Sequence, residues 1–395
     1  MTSAAAMKLI HQTGAPHKGE AANRVIPAAD FNTAIAEITA WEGYAPTPLV
    51  KLPALAARLG VAEIAYKDEG PRFGLGSFKA LGGSYAALRV LSRELSARQG
   101  RPVSLAEIRS GEQAAGAAEI TLVSATDGNH GRSLAWGCKR FGAPCRIYIH
   151  AEVSEGRAEA MRALGAEVIR IKGDYDDSVA LARREADENG WFVVSDTSWP
   201  GYSEPPRDVM AGYGVMSAEI AKAYDDPPSH IFLQGGVGGL AASVAAFSRQ
   251  YWKDAAPRVI VVEPDRAACL LESAKRGAAT AVHIAEETIM AGLSCGEPSE
   301  MAWEILAEEA SDFLTIPDEM IAPTIRQLAR PLPGDTKIEA GESAVAGLAA
   351  LIGLADNPAL AAELAIDRTS RLLFIGSEGV TDPEIFARIM AGENA

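Results

Sequence analysis

Four loops hold the residues of this chain that could do chemistry. The first, KDEGPRFGLGSFKALGGSYAALRV from Lys67 onward, sets glycines at 70, 74, 76, 82 and 83 around one lysine, Lys79. A lysine in the first turn of a helix is opposed by the helix dipole. Two readings fit it. Lys79 is a solvated surface lysine, or the apolar residues Phe73, Leu75, Phe78 and Leu81 desolvate its ammonium and make it a nucleophile able to form Schiff bases. The second loop, TDGNHG at 126–131, opens another helix, with Thr126 and Asp127 as N-cap types and Gly128 permitting a tight turn. The free N–H groups of such a helix start suit a carboxylate ligand. Asp127 either caps the helix or works as acid or base at a reacting carbon. His130 is expected to pack or hydrogen-bond within the first turn.

The third loop, QGGVGG at 234–239, has no Cβ to keep its backbone N–H groups from closing around a phosphate. The same glycines also permit plain tight packing of strand on helix. Their spacing is neither the GxGxxG dinucleotide fingerprint nor a Walker loop. The fourth, GSEGVTD at 376–382, offers the hydroxyls of Ser377 and Thr381 to a cofactor ring nitrogen. Read as ordinary structure, it is a turn with Asp382 at the N-cap before Pro383.

Position decides what these loops can do. Short β-rich runs at 63–67, 120–124, 146–150, 167–171, 191–195, 230–234, 258–262 and 371–375 alternate with Ala-rich helical stretches such as 178–188, 209–224 and 299–310. Continuous apolar strands like VIVV (259–262) and LLFI (372–375) are buried on both faces, which predicts an α/β chain with parallel sheets. In such sheets ligands sit at the carboxyl ends of strands, where all four loops lie. A restart of the alternation between Ile120 and Ser195 predicts a smaller domain inserted in a larger one.

Composition sets the outer bounds. The chain has 395 residues and a net charge of −15, so a nucleic-acid partner is not expected. No apolar run reaches the length of a membrane span, and the N-terminus lacks a secretory signal, so a cytoplasmic protein without a membrane partner is expected. The scattered histidines and the 4 cysteines predict no metal site, and Cys269 and Cys295 are expected as free thiols rather than a disulfide.

The segments YAPTPLVKLPALAARLG (44–60), GSFKALGG (76–83), TDGNHG (126–131), QGGVGG (234–239) and GSEG (376–379) occur in an order that resembles the fold-type II pyridoxal-phosphate enzymes, relatives of threonine dehydratase and tryptophan synthase β. KDEGPRFGLGSFKALGGSYA (67–86), ATDGNHGRSLAW (125–136), MAGLSCGEPS (290–299) and AGESAVAG (340–347) are similar to the diaminopropionate ammonia-lyase branch. The resemblance runs from about Tyr44 onward. It implies two parallel-sheet domains, residues 1–83 plus 197–395 as the large cofactor-binding one and 84–196 as the smaller insertion, with the cofactor in the crevice between them. It further implies that Lys79 binds pyridoxal 5'-phosphate as a Schiff base and that Gly235, Gly236, Val237, Gly238 and Gly239 cradle the phosphate. Many relatives have serine where Gly239 stands.

By the same resemblance Asn129 bonds the ring hydroxyl, Ser377 the ring nitrogen, and Thr126 with the backbone near Gly128 the substrate carboxylate. Asp127 takes the α-proton of a D-amino acid, or meets a cationic β-amino group, while Lys79 serves the L-isomer. The implied activity is α,β-elimination of D- and L-2,3-diaminopropionate to pyruvate and ammonia by a homodimer. The alternative is β-elimination from serine, threonine or 3-hydroxyaspartate.

Overall fold

The structure is a computed structural model and describes residues 7–12, 17–126 and 128–393. It divides into two compact units, Met1–Ala28 with Pro46–Phe78 and Met216–Ala395, and Ala29–Ala45 with Lys79–Val215.

The larger unit is built on a seven-stranded sheet. Its strands run in the order Lys8–His11, Asp312–Ile316, Arg258–Pro264, His230–Gln234, Arg371–Gly376, Glu63–Asp68, Leu49–Lys51. The two edge strands pair antiparallel and the five between them are parallel. The central strands are apolar on both faces because helices cover both. Phe232 and Phe374, on neighbouring strands, stack with centroids 5.0 Å apart and are fully buried. The helix Ala346–Ala355 is apolar nearly all round and packs into the same core. From His230–Gln234 the chain moves outward through Arg258–Pro264 to Asp312–Ile316, then returns past its starting point to Arg371–Gly376. The carboxyl ends of His230–Gln234 and Arg371–Gly376 therefore flank a switch point, the place where an open α/β sheet accepts a ligand.

The smaller unit repeats this plan. Four parallel strands run in the order Glu167–Arg170, Cys145–Ile149, Leu122–Ala125, Phe192–Val193, and the switch falls between the last two. The helices Lys79–Gln99 and Asn129–Phe141 cross closely here because small residues meet. A Cβ on Gly83 would lie 2.7 Å from Ser133 Oγ, and one on Gly137 2.7 Å from Ser84 Cα. Ser84 and Ser133 hydrogen-bond across the crossing at 2.8 and 3.0 Å.

The runs read as strands in the sequence are strands. Three more pair where no run was read: Lys8–His11, Leu49–Lys51 and Asp312–Ile316. The first two are short edges. The third opens on a buried aspartate, Asp312, which receives Arg258 Nε at 2.6 Å. The units also divide elsewhere than at 83/84 and 196/197. Segments 29–45, 79–83 and 197–215 pack within the smaller unit. There a Cβ on Gly214 would meet Phe31 at 2.3 Å and one on Gly82 would meet Tyr213 at 2.5 Å. No helix among the described residues is long and apolar enough to cross a membrane. No group of three metal-binding side chains occurs among them either. All four cysteines are free thiols.

Candidate active site

Lys79 is the first residue of a 21-residue helix, Lys79–Gln99. The loop before it is held by charges that are almost wholly enclosed. Arg72 donates to both oxygens of Glu69 and to both oxygens of Glu219, each at 2.8 Å. Lys67 Nζ reaches Glu219 Oε2 at 2.6 Å and the Thr47 carbonyl at 2.7 Å. None of these four charged side chains is more than 6% exposed. Burial works against charge on Glu219, but its bonds to Arg72 and Lys67 prevail and hold its pKa below the usual range. Phe73, next to Arg72, lies in the left-handed region at φ 50°, a strained setting for an aromatic residue. From there residues 76–78 run beside the GSEG loop. Phe78 N donates to Ser377 O at 2.9 Å, Gly379 N to Gly76 O at 2.9 Å, and Ser77 bridges Glu378. Two segments about 300 positions apart are thus joined by backbone bonds one residue before Lys79.

In the smaller unit Lys79 Nζ donates to Asp196 Oδ2 at 2.9 Å. Burial disfavours charge on Asp196, yet Lys79 and His130 nearby hold its carboxyl well below the ordinary carboxylate range. Of the residues expected to form an apolar collar around Lys79, Leu75, Phe78 and Leu81 are buried and Phe73 is half-buried. The ammonium nonetheless ends on a charged partner that the sequence reading did not foresee. Asp196 lies in the loop after Phe192–Val193, across the switch point from Leu122–Ala125 and its TDGNHG loop. Position alone could have found it, because this loop also follows a strand. The loop is fixed by Tyr202, which donates to Val193 O and accepts from Ser195 N, each at 2.9 Å. Trp199 stacks on Tyr202 at 3.9 Å, with the Arg183 guanidinium 3.5 Å from the Trp199 ring centre.

Around TDGNHG, Thr126 is buried, and its Oγ1 accepts from Gly128 N at 3.4 Å. Asn129 opens the helix Asn129–Phe141. Asp127 lies outside the described residues. His130 is buried, in keeping with the packing expected of it, but its hydrogen bond leaves the first turn. Its Nε2 lies 2.9 Å from the Val194 carbonyl, because the ring points toward the next strand of the sheet.

In the larger unit QGGVGG leads from His230–Gln234 into the helix Gly239–Trp252. Gly238 has φ 96°, which a glycine adopts without strain. A Cβ at Gly235 would come within 2.7 Å of Glu263 Cγ, and one at Gly236 within 3.2 Å of Gly292 O. Among the described residues nothing accepts from the N–H groups of Gly236, Val237, Gly238 or Gly239, and the four glycines of the loop are buried. A buried row of free donors at the start of a 14-residue helix is built for an anion. Glu263 lies against this loop. Burial pushes its carboxyl up to about 8, although Leu270 and Leu271 donate N–H groups to it, so no fixed negative charge opposes the anion at neutral pH. On the neighbouring strand end Ser377 is buried, and Gln234 Nε2 donates to Ile375 O. Thr381 lies partly exposed further along, and Asp382 caps the last helix through Glu384 N and Ile385 N.

A family model described as "pyridoxal-phosphate dependent enzyme" matches residues 40–375. The chain belongs to that family. Diaminopropionate ammonia-lyase of Salmonella typhimurium is 39% identical over 357 residues, covering 88% of each chain. The crystal structure of holo diaminopropionate ammonia lyase from Escherichia coli superposes with a TM-score of 0.89 at 33% identity over 98% of both chains. The same enzyme in complex with D-serine gives a TM-score of 0.88 at 32% identity over 98% of both chains. The cofactor of the family is pyridoxal phosphate, and the residues present fit it: a lysine whose amine is held by a carboxylate, and backbone donors without acceptors for a phosphate.

The network before Lys79 leads to a stability prediction. Arg72→Met leaves two buried carboxylates facing one lysine and should cost about 3–5 kcal/mol in urea unfolding. Arg24→Met, which removes a pair with Glu304 at 63% and 41% exposure, should cost less than about 0.5 kcal/mol. Equal losses would show that the Arg72 network does not hold the loop.

Proposed function

We propose that the chain is a pyridoxal-phosphate dependent ammonia-lyase that eliminates the β-amino group of D- and L-2,3-diaminopropionate. The observation that carries the substrate class is its 39% identity to a diaminopropionate ammonia-lyase over 88% of the chain. One water is consumed, and pyruvate and two ammonia molecules are released. Pyridoxal phosphate, when bound, supplies the electron sink for the pair left at Cα when the α-proton departs.

The chain's own residues do the rest. Lys79 Nζ would hold the cofactor, and as a free amine it takes the α-proton of the L-isomer. Asp127 takes that of the D-isomer, a role resting on its place in TDGNHG. The backbone N–H groups of Gly236, Val237, Gly238 and Gly239 hold the phosphate; that of Gly235, expected from the sequence to join them, instead donates to Val262 O at 2.8 Å, and no hydroxyl contributes at Gly239. Asn129 bonds the ring hydroxyl and Ser377 the ring nitrogen. Thr126 and the Gly128 backbone hold the substrate carboxylate. On this reading the larger unit is the phosphate-binding domain and the smaller one carries the proton-transfer groups.

We also infer a cytoplasmic homodimer, which accompanies the family reading. Light scattering should give a mass near twice 41.5 kDa, and a mass near 41.5 kDa at micromolar concentration contradicts the dimer.

Pyruvate or 2-oxo-acid release from both enantiomers of diaminopropionate, serine, threonine and 3-hydroxyaspartate tests the substrate. Diaminopropionate should give the highest kcat/KM, whereas a hydroxy amino acid well ahead of it makes the chain a dehydratase instead. In Asp127→Asn, activity on D-diaminopropionate should fall about 10² to 10⁴-fold and on the L-isomer much less. Equal losses on both isomers with KM unchanged would remove the stereospecific role of Asp127. A drop of about 1 kcal/mol in stability with turnover intact would leave Asp127 as a helix cap only.

A further inference from the structure

The sequence WPGY at 199–202 makes a tight turn a few residues beyond Asp196. Tyr202 N donates to Trp199 O at 2.9 Å, with proline in second place and Gly201 in third at φ 83°, the arrangement of a type II turn. The turn folds the Tyr202 ring back on Trp199, with centroids 3.9 Å apart and planes at 8°. Arg183, from the helix Tyr175–Asn189, sets its guanidinium 3.5 Å from the Trp199 ring centre. So anchored, the Tyr202 hydroxyl spans the chain just before Asp196. It donates to Val193 O and accepts from Ser195 N, each at 2.9 Å. Val194 between them is held from other elements, its N donating to Val123 O at 2.8 Å and its O facing His130 Nε2 at 2.9 Å. Ser195 N is the last backbone donor before Asp196, and Tyr202 is its partner.

We propose that Tyr202 is a positioning residue whose hydroxyl keeps Asp196 against Lys79, so that Asp196 stabilises the ammonium formed when Lys79 takes the α-proton of the L-isomer. The proposal rests on the reading of Lys79 as that base. In the step the Cα–H bond breaks, its electron pair stays at Cα, and the proton joins the lone pair of Lys79 Nζ. Positive charge then appears on Nζ, where Asp196 Oδ2 stands at 2.9 Å, and the contact is stronger after the transfer than before it. Burial disfavours charge on Asp196, yet Lys79 and His130 hold its carboxyl well below the ordinary range, so it meets the ammonium as a carboxylate. The other groups facing the pair stay neutral. Burial pushes the His130 imidazole down and the Tyr202 and Tyr213 phenols up. Arg183 and Arg93 are the cations that act on Tyr202. For the D-isomer the base is Asp127, and Nζ gains no charge in that step.

Tyr202→Phe keeps the ring on Trp199 and removes the hydroxyl. In the full-length enzyme, kcat on L-2,3-diaminopropionate should fall roughly 3- to 10-fold, the worth of a buried hydrogen bond, and kcat on the D-isomer should stay within about twofold. The rate of covalent pyridoxal-phosphate uptake by the stripped full-length chain, followed against pH, reads the same pair without turnover. Uptake needs a neutral amine, and a counter-ion keeps an amine charged to higher pH. Tyr202→Phe should therefore lower the uptake midpoint by roughly 0.5 to 1 pH unit. Asp196→Asn should lower it at least as far. The double variant should match Asp196→Asn, because two groups acting through one contact are not additive.

A wild-type midpoint with an unchanged ratio of L to D turnover in Tyr202→Phe overturns the proposal. So does an equal loss on both isomers, which is what a merely structural role would give, and so does a double variant in which the two shifts add. If wild type takes up the cofactor but releases no pyruvate, the elimination reading alone fails, and the uptake midpoints still decide the role of Tyr202.

Discussion

An ammonium at the start of a helix stands where the backbone already presents positive charge, and a lysine there needs a counter-ion. Asp196 is that counter-ion for Lys79, at 2.9 Å. The pair explains much of the smaller unit. The helix Lys79–Gln99 lies tightly against Asn129–Phe141 through Gly83, Gly137 and the serine pair, which fixes where Lys79 begins. The Arg183–Trp199–Tyr202 stack and the Tyr202 hydroxyl fix where Asp196 ends. A counter-ion this close favours the charged lysine, whereas a Schiff-base nucleophile must be neutral when it reacts.

The larger unit solves a different problem, that of holding an anion without spending a cation on it. Four glycines let buried backbone donors converge at the end of His230–Gln234, and the adjoining helix adds its dipole. The carboxyl nearest to them, Glu263, is kept neutral by burial. Two cations of this unit, Lys67 and Arg72, are instead enclosed with Glu69 and Glu219 in the network beside the loop that precedes Lys79. Breaking a buried network of this kind costs more than forming it gains. Its value lies in specifying one conformation for a loop that contains a strained Phe73.

Much of this was legible in the sequence because parallel strands write themselves as continuous apolar runs. VIVV and LLFI announced central strands, and the glycine loops at 234–239 and 376–379 lay at their carboxyl ends. Lys79 was found through its glycines and through a resemblance over the whole motif order. Asp312–Ile316 was missed because it opens on a charged residue whose burial depends on Arg258, 54 positions away. Asp196 was missed for the same kind of reason. One aspartate among 52 acidic residues carries no local mark, and its partner is 117 positions distant. The ring of His130 likewise meets Val194, 64 positions on, a contact from a helix start to the residue after a strand and not within a helix turn. Long-range polar pairings leave no period in a sequence, and hydrophobic burial does.

The account turns on Lys79 as the residue that holds the cofactor. Borohydride reduction of the holoenzyme, followed by proteolysis and mass spectrometry, tests it directly. The account predicts one pyridoxyl group per chain, on the peptide that contains Lys79. A pyridoxyl group on any other lysine, or none on a protein that has bound the cofactor, would contradict it.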